Sequence, residues 1–232
     1  LLLNLAARRD GSDNWSDLAE GGKATESTPG VEETPRGGDG ALAISGFEVN
    51  NATINYSSGP DTISVSDANF SIGPVVSDGQ TLSVGAILFE ALVSGLSEIP
   101  TELSFRTGGI TADNATQTAT IEPLNLSVLG IDMRAEVEPI DYSDTVQPTA
   151  LLTIDEFSPR SVMTLLGLEP LETVDPSALS RVSLKATAKV GENDISLSGI
   201  RFVLDDTTFT GSMSLPMAAS GRIRVDLGGD AI

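Results

Sequence analysis

The sequence predicts a mainly β protein, a curled and mostly antiparallel sheet of bulged strands with one short helix. Three observations point there. From Ala41 onward apolar residues recur at every second position through most of the chain, which is the period of a half-buried strand. Val, Ile, Thr and Ser dominate those runs, residues that suit a pleated, half-covered surface. The alternation also slips by one residue at short Ser-Gly or Ser-Asp pairs, and such a slip marks a β-bulge, because an extra residue otherwise turns every later side chain to the wrong face.

Taken in order, Leu1 to Ala7 reads as the end of a strand, and residues 1–19 as the end of an upstream β element closed by a polar, turn-like run up to Trp15. Residues 20–40 are rich in Gly, Glu and Pro with almost no large apolar side chain. Such a stretch cannot offset its ordering entropy by burial, so it is expected to be a flexible linker. Residues 41–232 form the β-rich domain. Leu42 and Ile44 alternate, the phase slips at Ser45-Gly46, and Phe47 and Val49 follow. Asn50-Asn51 is expected to turn the chain, with Ile54 and Tyr56 returning. Ile63 and Val65 slip at Ser66-Asp67 into Ala68, Phe70 and Ile72. Gly73-Pro74 and Asp78-Gly79 punctuate the next gap, and strands are expected over 80–93, 101–107, 116–129, 131–140 and 149–157.

One helix interrupts. Ser158 is a good N-cap, Pro159 suits the first helical position, Val162, Leu165 and Leu166 share one face, and Gly167 supplies the stop. Asp175-Pro176 opens a further single turn. The next strand places Val182, Leu184, Ala186, Ala188 and Val190 on one face, and Arg181, Ser183, Lys185, Thr187 and Lys189 on the other. Ile195 and Leu197 then slip at Ser198-Gly199 into Ile200, Phe202 and Leu204. Asp205-Asp206 turns the chain into Phe209, Gly211, Met213 and Leu215. This bulged unit is echoed from Ile44 and from Ile63.

Composition excludes several functions. Against 33 Asp and Glu stand 13 Lys and Arg, a formal charge of −20, which repels phosphate backbones and argues against a nucleic-acid partner. The absence of Cys and His removes disulfides, thiol nucleophiles, imidazole bases and the usual zinc ligands, so neither a cofactor nor a metal is expected. The longest apolar run, residues 85–96, carries Glu90 and falls short of the ~20 residues that cross a bilayer. The first residue is Leu, so the chain reads as an internal fragment of a longer protein.

No catalytic constellation emerges. Of the acid pairs, Glu32-Glu33 reads as linker and Asp205-Asp206 as a turn. Adjacent residues such as Asp155-Glu156 point to opposite strand faces, so they do not set two carboxylates across one substrate. The Gly pairs at 21, 37, 108 and 228 lack the Lys-Ser/Thr and helix that cradle phosphate. The Asn-x-Ser/Thr triplets at Asn14, Asn51, Asn55, Asn69, Asn114 and Asn125 read as accidents of composition.

Several segments together resemble the bacterial AsmA family of envelope proteins. They are DNWSDL at Asp13 to Leu18, ISGFEVNNATINY at Ile44 to Tyr56, EFSPRSVMTLLGLE at Glu156 to Glu169, DPSALSRVSL at Asp175 to Leu184 and LDDTTFTGSMSL at Leu204 to Leu215. The resemblance implies a periplasmic protein held by an inner-membrane anchor upstream of this fragment. It also implies a part in outer-membrane biogenesis, with phospholipid passing along an apolar β groove. The expected activity is therefore non-enzymatic, the partners phospholipid acyl chains and envelope proteins, and the lipid-facing residues Val182, Leu184, Ala186, Ala188 and Val190. The rival expectation is a closed β-sandwich, a scaffold or surface adhesion module, in which those five residues are ordinary core.

Overall fold

The structure is a computed structural model that describes residues 2–7, 41–58, 61–95, 99–169, 171–217 and 222–230. The chain is mainly β, with one short helix and sheets that do not close into a barrel. Its strands are β1 (Leu2–Ala7), β2 (Leu42–Ile44), β3 (Phe47–Ser58), β4 (Asp61–Ile72), β5 (Val75–Ser77), β6 (Thr81–Val84), β7 (Ile87–Ser94), β8 (Thr101–Thr107) and β9 (Ile110–Asp113). They continue with β10 (Thr118–Ile121), β11 (Leu124–Val128), β12 (Ile131–Val137), β13 (Ile140–Asp141), β14 (Thr149–Phe157), β15 (Val182–Val190), β16 (Asp194–Leu204), β17 (Thr207–Pro216) and β18 (Arg224–Asp230). The helix, α1, spans Pro159–Leu165 between β14 and β15. The expected linker at 20–40 lies outside the described residues.

A twelve-stranded sheet runs β1-β3-β4-β7-β8-β11-β12-β14-β15-β16-β17-β18, and a six-stranded sheet runs β13-β10-β9-β6-β5-β2. All neighbours are antiparallel except β1 and β3, which pair in parallel from Leu2 opposite Thr53 to Ala7 opposite Ser58. The strand expected at the start of the chain thus belongs to the same sheet as the strands beyond the 20–40 segment.

The smaller sheet is the continuation of the larger one across a crease. Six passages between them take only two residues each: Ser45-Gly46, Gly73-Pro74, Gly85-Ala86, Gly108-Gly109, Glu122-Pro123 and Glu138-Pro139; the return from β13 to β14 is the longer segment 142–148. At every passage the apolar or branched residues flanking the pair stand three apart, as Ile44 and Phe47, Ile72 and Val75, Val84 and Ile87, Thr107 and Ile110, Ile121 and Leu124, Val137 and Ile140. Period two therefore breaks at the same level in six neighbouring strands, and each strand restarts its alternation beyond the bend. Strands that switch sheets through a bend make corners of this kind.

Backbone bonds hold the crease together. Gly73 N donates to Ala86 O at 2.7 Å, Gly85 N to Pro74 O at 2.8 Å and Glu122 N to Gly109 O at 2.9 Å. Thr107, 1% exposed, sits among them; its hydroxyl donates to Glu122 O at 2.9 Å and accepts from Gly109 N at 3.4 Å. Glycine is required because the backbones approach so closely. A Cβ on Gly46 lies 2.6 Å from Ile72 O, and one on Gly109 lies 2.5 Å from Val84 O.

Besides a register shift on β14 between Ile154 and Phe157, three bulges with one residue at positive φ carry the remaining phase slips. Register shifts fall between Val49 and Ala52 on β3, Ser66 and Asn69 on β4, and Leu197 and Ile200 on β16. In each, one residue takes a positive φ: Asn51 at 52°, Asp67 at 50° and Gly199 at 58°. Asn, Asp and Gly are the residues that tolerate this conformation. The next residue in each case, Ala52, Ala68 or Ile200, is buried at 3–5% exposure. With Ala91 and Ala186, which oppose the bulges of β4 and β16, they make up most of the tightly packed interior among the described residues.

The bulges at Ser66-Asp67 and Ser198-Gly199 and the Asp205-Asp206 turn fall where the sequence places them. Two expectations are corrected. Asn50-Asn51 is a bulge inside the continuous β3 and not a turn, since one positive-φ residue absorbs the slip while the pairing with β4 resumes. Ser45-Gly46 is a crossing of the crease and not a bulge, so the repeated unit aligns Asn50-Asn51, not Ser45-Gly46, with Ser198-Gly199. The strands expected over 80–93, 116–129 and 131–140 are likewise each split in two by the crease. The helix begins as expected, with the Ser158 hydroxyl accepting from Ser161 N at 3.3 Å, and Gly167 follows at φ 69°.

The crease makes a measurable demand on its glycines. Gly46→Ala and Gly109→Ala are expected to lower the urea midpoint by the equivalent of about 1–3 kcal/mol, from forced backbone displacement at a positive φ. Gly228→Ala on β18, where a Cβ meets nothing within 4 Å, is expected to stay within ~0.5 kcal/mol of the parent. Equal midpoints for all three variants would contradict a tightly approached crease.

Candidate functional site

Residues directly opposite each other on neighbouring strands point to the same face, so register pairs trace side-chain rows across a sheet. One row in the large sheet is apolar without a break: Val49, Phe70, Phe89, Phe105, Leu126, Met133, Ile154, Leu184, Phe202 and Phe209. It crosses ten strands, from β3 to β17, and holds five of the seven Phe residues of the chain. At a strand spacing of ~4.8 Å it extends about 43 Å along the sheet. A second row runs beside it, Val137, Ala150, Ala188, Leu197, Met213 and Val225.

The bulges keep this face apolar. On β4, Val65 and Phe70 are five apart, yet they oppose Val93 and Phe89 on β7, because the extra residue at Asp67-Ala68 restores the phase. On β16, Leu197 opposes Met213 and Phe202 opposes Phe209 for the same reason. Without the extra residue, one half of each strand would turn its apolar set to the other side.

All ten residues of the long row are only half-buried. Their strand neighbours shield their flanks, and among the described residues no second layer seals the face as the other sheet of a closed sandwich would. The five residues singled out from the sequence share this face, but not equally. Val182 is 9% and Ala186 2% exposed, which makes them packing residues, while Leu184, Ala188 and Val190 are half-buried. Leu184 lies in the long row and Ala188 in the second. The other members of the rows, Phe89, Phe105, Leu126 and Met133 among them, were not singled out by sequence reasoning. Their signal was local alternation, but their union into one surface depends on long-range register.

The opposite face is polar. A matching row reads Ser71, Leu88, Arg106, Asn125, Arg134, Thr153, Lys185, Arg201 and Thr210. A cavity of about 500 Å³ is lined mainly from this side, by Glu90, Arg106, Asn125, Asp132, Arg134 and Asp155, with the strand segments at Phe105, Leu126 and Met133. Arg106 pairs with Glu90 at 3.7 Å and Arg134 with the neighbouring Glu136 at 2.8 Å, while Asp132 and Asp155 line the cavity without an ion pair among the described residues. It is more polar than a site for hydrocarbon would be.

Two of the three acid pairs fall among the described residues. Asp155-Glu156 lies in a register shift of β14, and Glu32-Glu33 is outside the described residues. Asp205, at φ 50°, turns the β16–β17 hairpin and also holds the segment that leads into β15. Its carboxylate accepts from Leu179 N at 2.7 Å, Ser180 N at 2.8 Å and Arg181 N at 3.1 Å, and from the Ser180 hydroxyl at 3.0 Å. The bond from Leu179 N, followed by those from Ser180 and Arg181, holds the Asp205 carboxyl below the usual carboxylate range. Asp206 points outward and pairs with Arg181 at 3.0 Å.

No protein-family model, curated protein or solved structure matches this chain.

Asp205→Ala is expected to speed amide exchange at Leu179, Ser180 and Arg181 while leaving β11 and β12 protected. Because the folded pKa is lowered, the stabilisation is fully present above the unfolded pKa of about 3.9. It fades as pH falls through the folded value, so parent and variant should converge in stability only in strong acid. A difference that persists unchanged down to that range would show that the carboxylate charge is not responsible.

Proposed function

We propose that this chain is a non-enzymatic, AsmA-like periplasmic segment that carries phospholipid acyl chains along the apolar face of its large sheet. In this reading the parent protein is anchored in the inner membrane and serves outer-membrane biogenesis. The single observation that supports it most is the unbroken row from Val49 to Phe209, half-exposed over about 43 Å at the strand spacing of ~4.8 Å. An open apolar surface of that length, on a chain with a formal charge of −20, calls for an apolar occupant.

The physics is that of hydrocarbon withdrawn from water, ~0.8 kcal/mol per buried methylene. A face of Phe, Leu, Ile and Met presents area without directional hydrogen bonds, so it grips chains of any length that fit and distinguishes them weakly. Movement along it is correspondingly easy, since each strand offers much the same surface as the next. The crease and bulges set the path without interrupting it.

Photocrosslinking tests this reading in the membrane-anchored full-length protein. Benzophenone side chains at Leu126 or Leu184 are expected to label phospholipid, and the same groups at Asn125 or Thr153, on the opposite face, are not. Leu184→Asp is expected to reduce co-purifying phospholipid, measured by mass spectrometry, about tenfold, equivalent to ~1.4 kcal/mol. Equal labelling of both faces, or none on either, would sink the proposal.

A further inference from the structure

The polar face of the large sheet holds a second feature, independent of the acyl-chain reading. Lys185 on β15 and Arg201 on β16 are direct register partners. Like charges placed directly opposite on neighbouring strands repel and destabilise the pair. In a chain with many more acids than bases the simple remedy is a carboxylate between them, as Glu136 serves Arg134 at 2.8 Å. Neither Lys185 nor Arg201 has an ion-pair partner among the described residues.

Both line a cavity of about 250 Å³, together with Thr153, Ser183, Asp155 and Glu156 and the strand segments at Ile154 and Leu184. Two bulges border it. The register shift of β14 falls at Asp155-Glu156, and that of β16 falls just before Arg201. Bulges re-aim side chains and are over-represented beside binding sites. Glu156 is engaged by Arg181 at 3.7 Å, whereas Asp155 has no ion-pair partner among the described residues. Three unmatched charges thus surround one small cavity, two cations side by side and one carboxylate apart from them.

We infer that this cavity binds a phosphate ester carrying a nearby ammonium group. The phosphate oxygens bridge Lys185 and Arg201, relieving their repulsion, with the Thr153 and Ser183 hydroxyls as further donors. The ammonium faces Asp155. The cavity lies below the ~300–1,000 Å³ of drug-sized sites, which limits the ligand to a compact group. Such a group occurs both as a free metabolite and as the exposed head of a lipid.

Calorimetric titration of the full chain at low ionic strength tests the site with O-phosphoethanolamine, inorganic phosphate and phosphatidylethanolamine vesicles. O-phosphoethanolamine is expected to bind saturably and about tenfold more tightly than inorganic phosphate, ~1.4 kcal/mol. Lys185→Gln and Arg201→Gln, exposed positions where the fold should be unaffected, are expected to weaken both ligands. Asp155→Asn is expected to remove only the preference between them. Vesicle binding lost in the same variants assigns the group to a lipid head, and binding of the soluble ligand alone assigns it to a free phosphate ester. No saturable binding, or binding unchanged in the Lys185 and Arg201 variants, overturns the site. Equal affinity for the two soluble ligands overturns the role of Asp155. Leu126 does not line this cavity, so crosslinking there tests the acyl-chain reading separately.

Discussion

Cross-strand register is the constraint on which the rest of this structure depends. A side chain on one strand shares a face with its direct partner on the next, and a slip of a single residue sends it to the other side. For Val49 to stand in line with Phe209, register must be kept through every intervening pair of strands. A mismatch anywhere would divide the apolar face and interleave it with Arg106, Lys185 and their neighbours. The two faces differ so sharply in chemistry that each pair of strands has one clearly favoured alignment.

The bulges and the crease serve that constraint. Period two fails in β3, β4 and β16 because each carries one residue too many, and a residue at positive φ absorbs the excess while the apolar phase resumes. The same device packs Ala52, Ala68 and Ala91 together and, farther along the sheet, buries Ala186 and Ile200 at the β16 bulge, so the small buried core sits where the strands bend. At the crease six strands slip together, and glycines let their backbones meet. The fold is thus held mainly by the ladder and by flank-to-flank contact of side chains, with little of the layered burial that stabilises a sandwich.

Most of the local structure was legible from the chain. The helix, with its Ser158 cap and Gly167 stop, and the strands at 101–107, 149–157 and 182–190 follow from capping chemistry and alternation, which act over a few residues. The errors fell where two local signals looked alike. Ser45-Gly46 and Ser198-Gly199 share residue types but not roles, because one lies at a level where five neighbouring strands also bend and the other does not. The pairs at Gly73-Pro74, Gly85-Ala86, Gly108-Gly109, Glu122-Pro123 and Glu138-Pro139 carried the missing signal, an apolar spacing of three around each. Only their alignment across strands reveals it as a single line.

The sequence by itself determined that this chain is built of bulged strands with one apolar and one polar face, since period two and its breaks are properties of consecutive residues. It also determined that Asp205-Asp206 is a turn. Tertiary structure decided the rest. It placed Val182 and Ala186 in the packed interior and left Leu184 on the open face, because burial depends on what stands opposite. It joined Phe89, Phe105, Leu126, Met133 and Ile154 to Leu184 in one surface, and set Lys185 against Arg201 on the other. Those associations link residues far apart in the chain, and hydrogen-bonded register, which no local pattern encodes, is what brings them together.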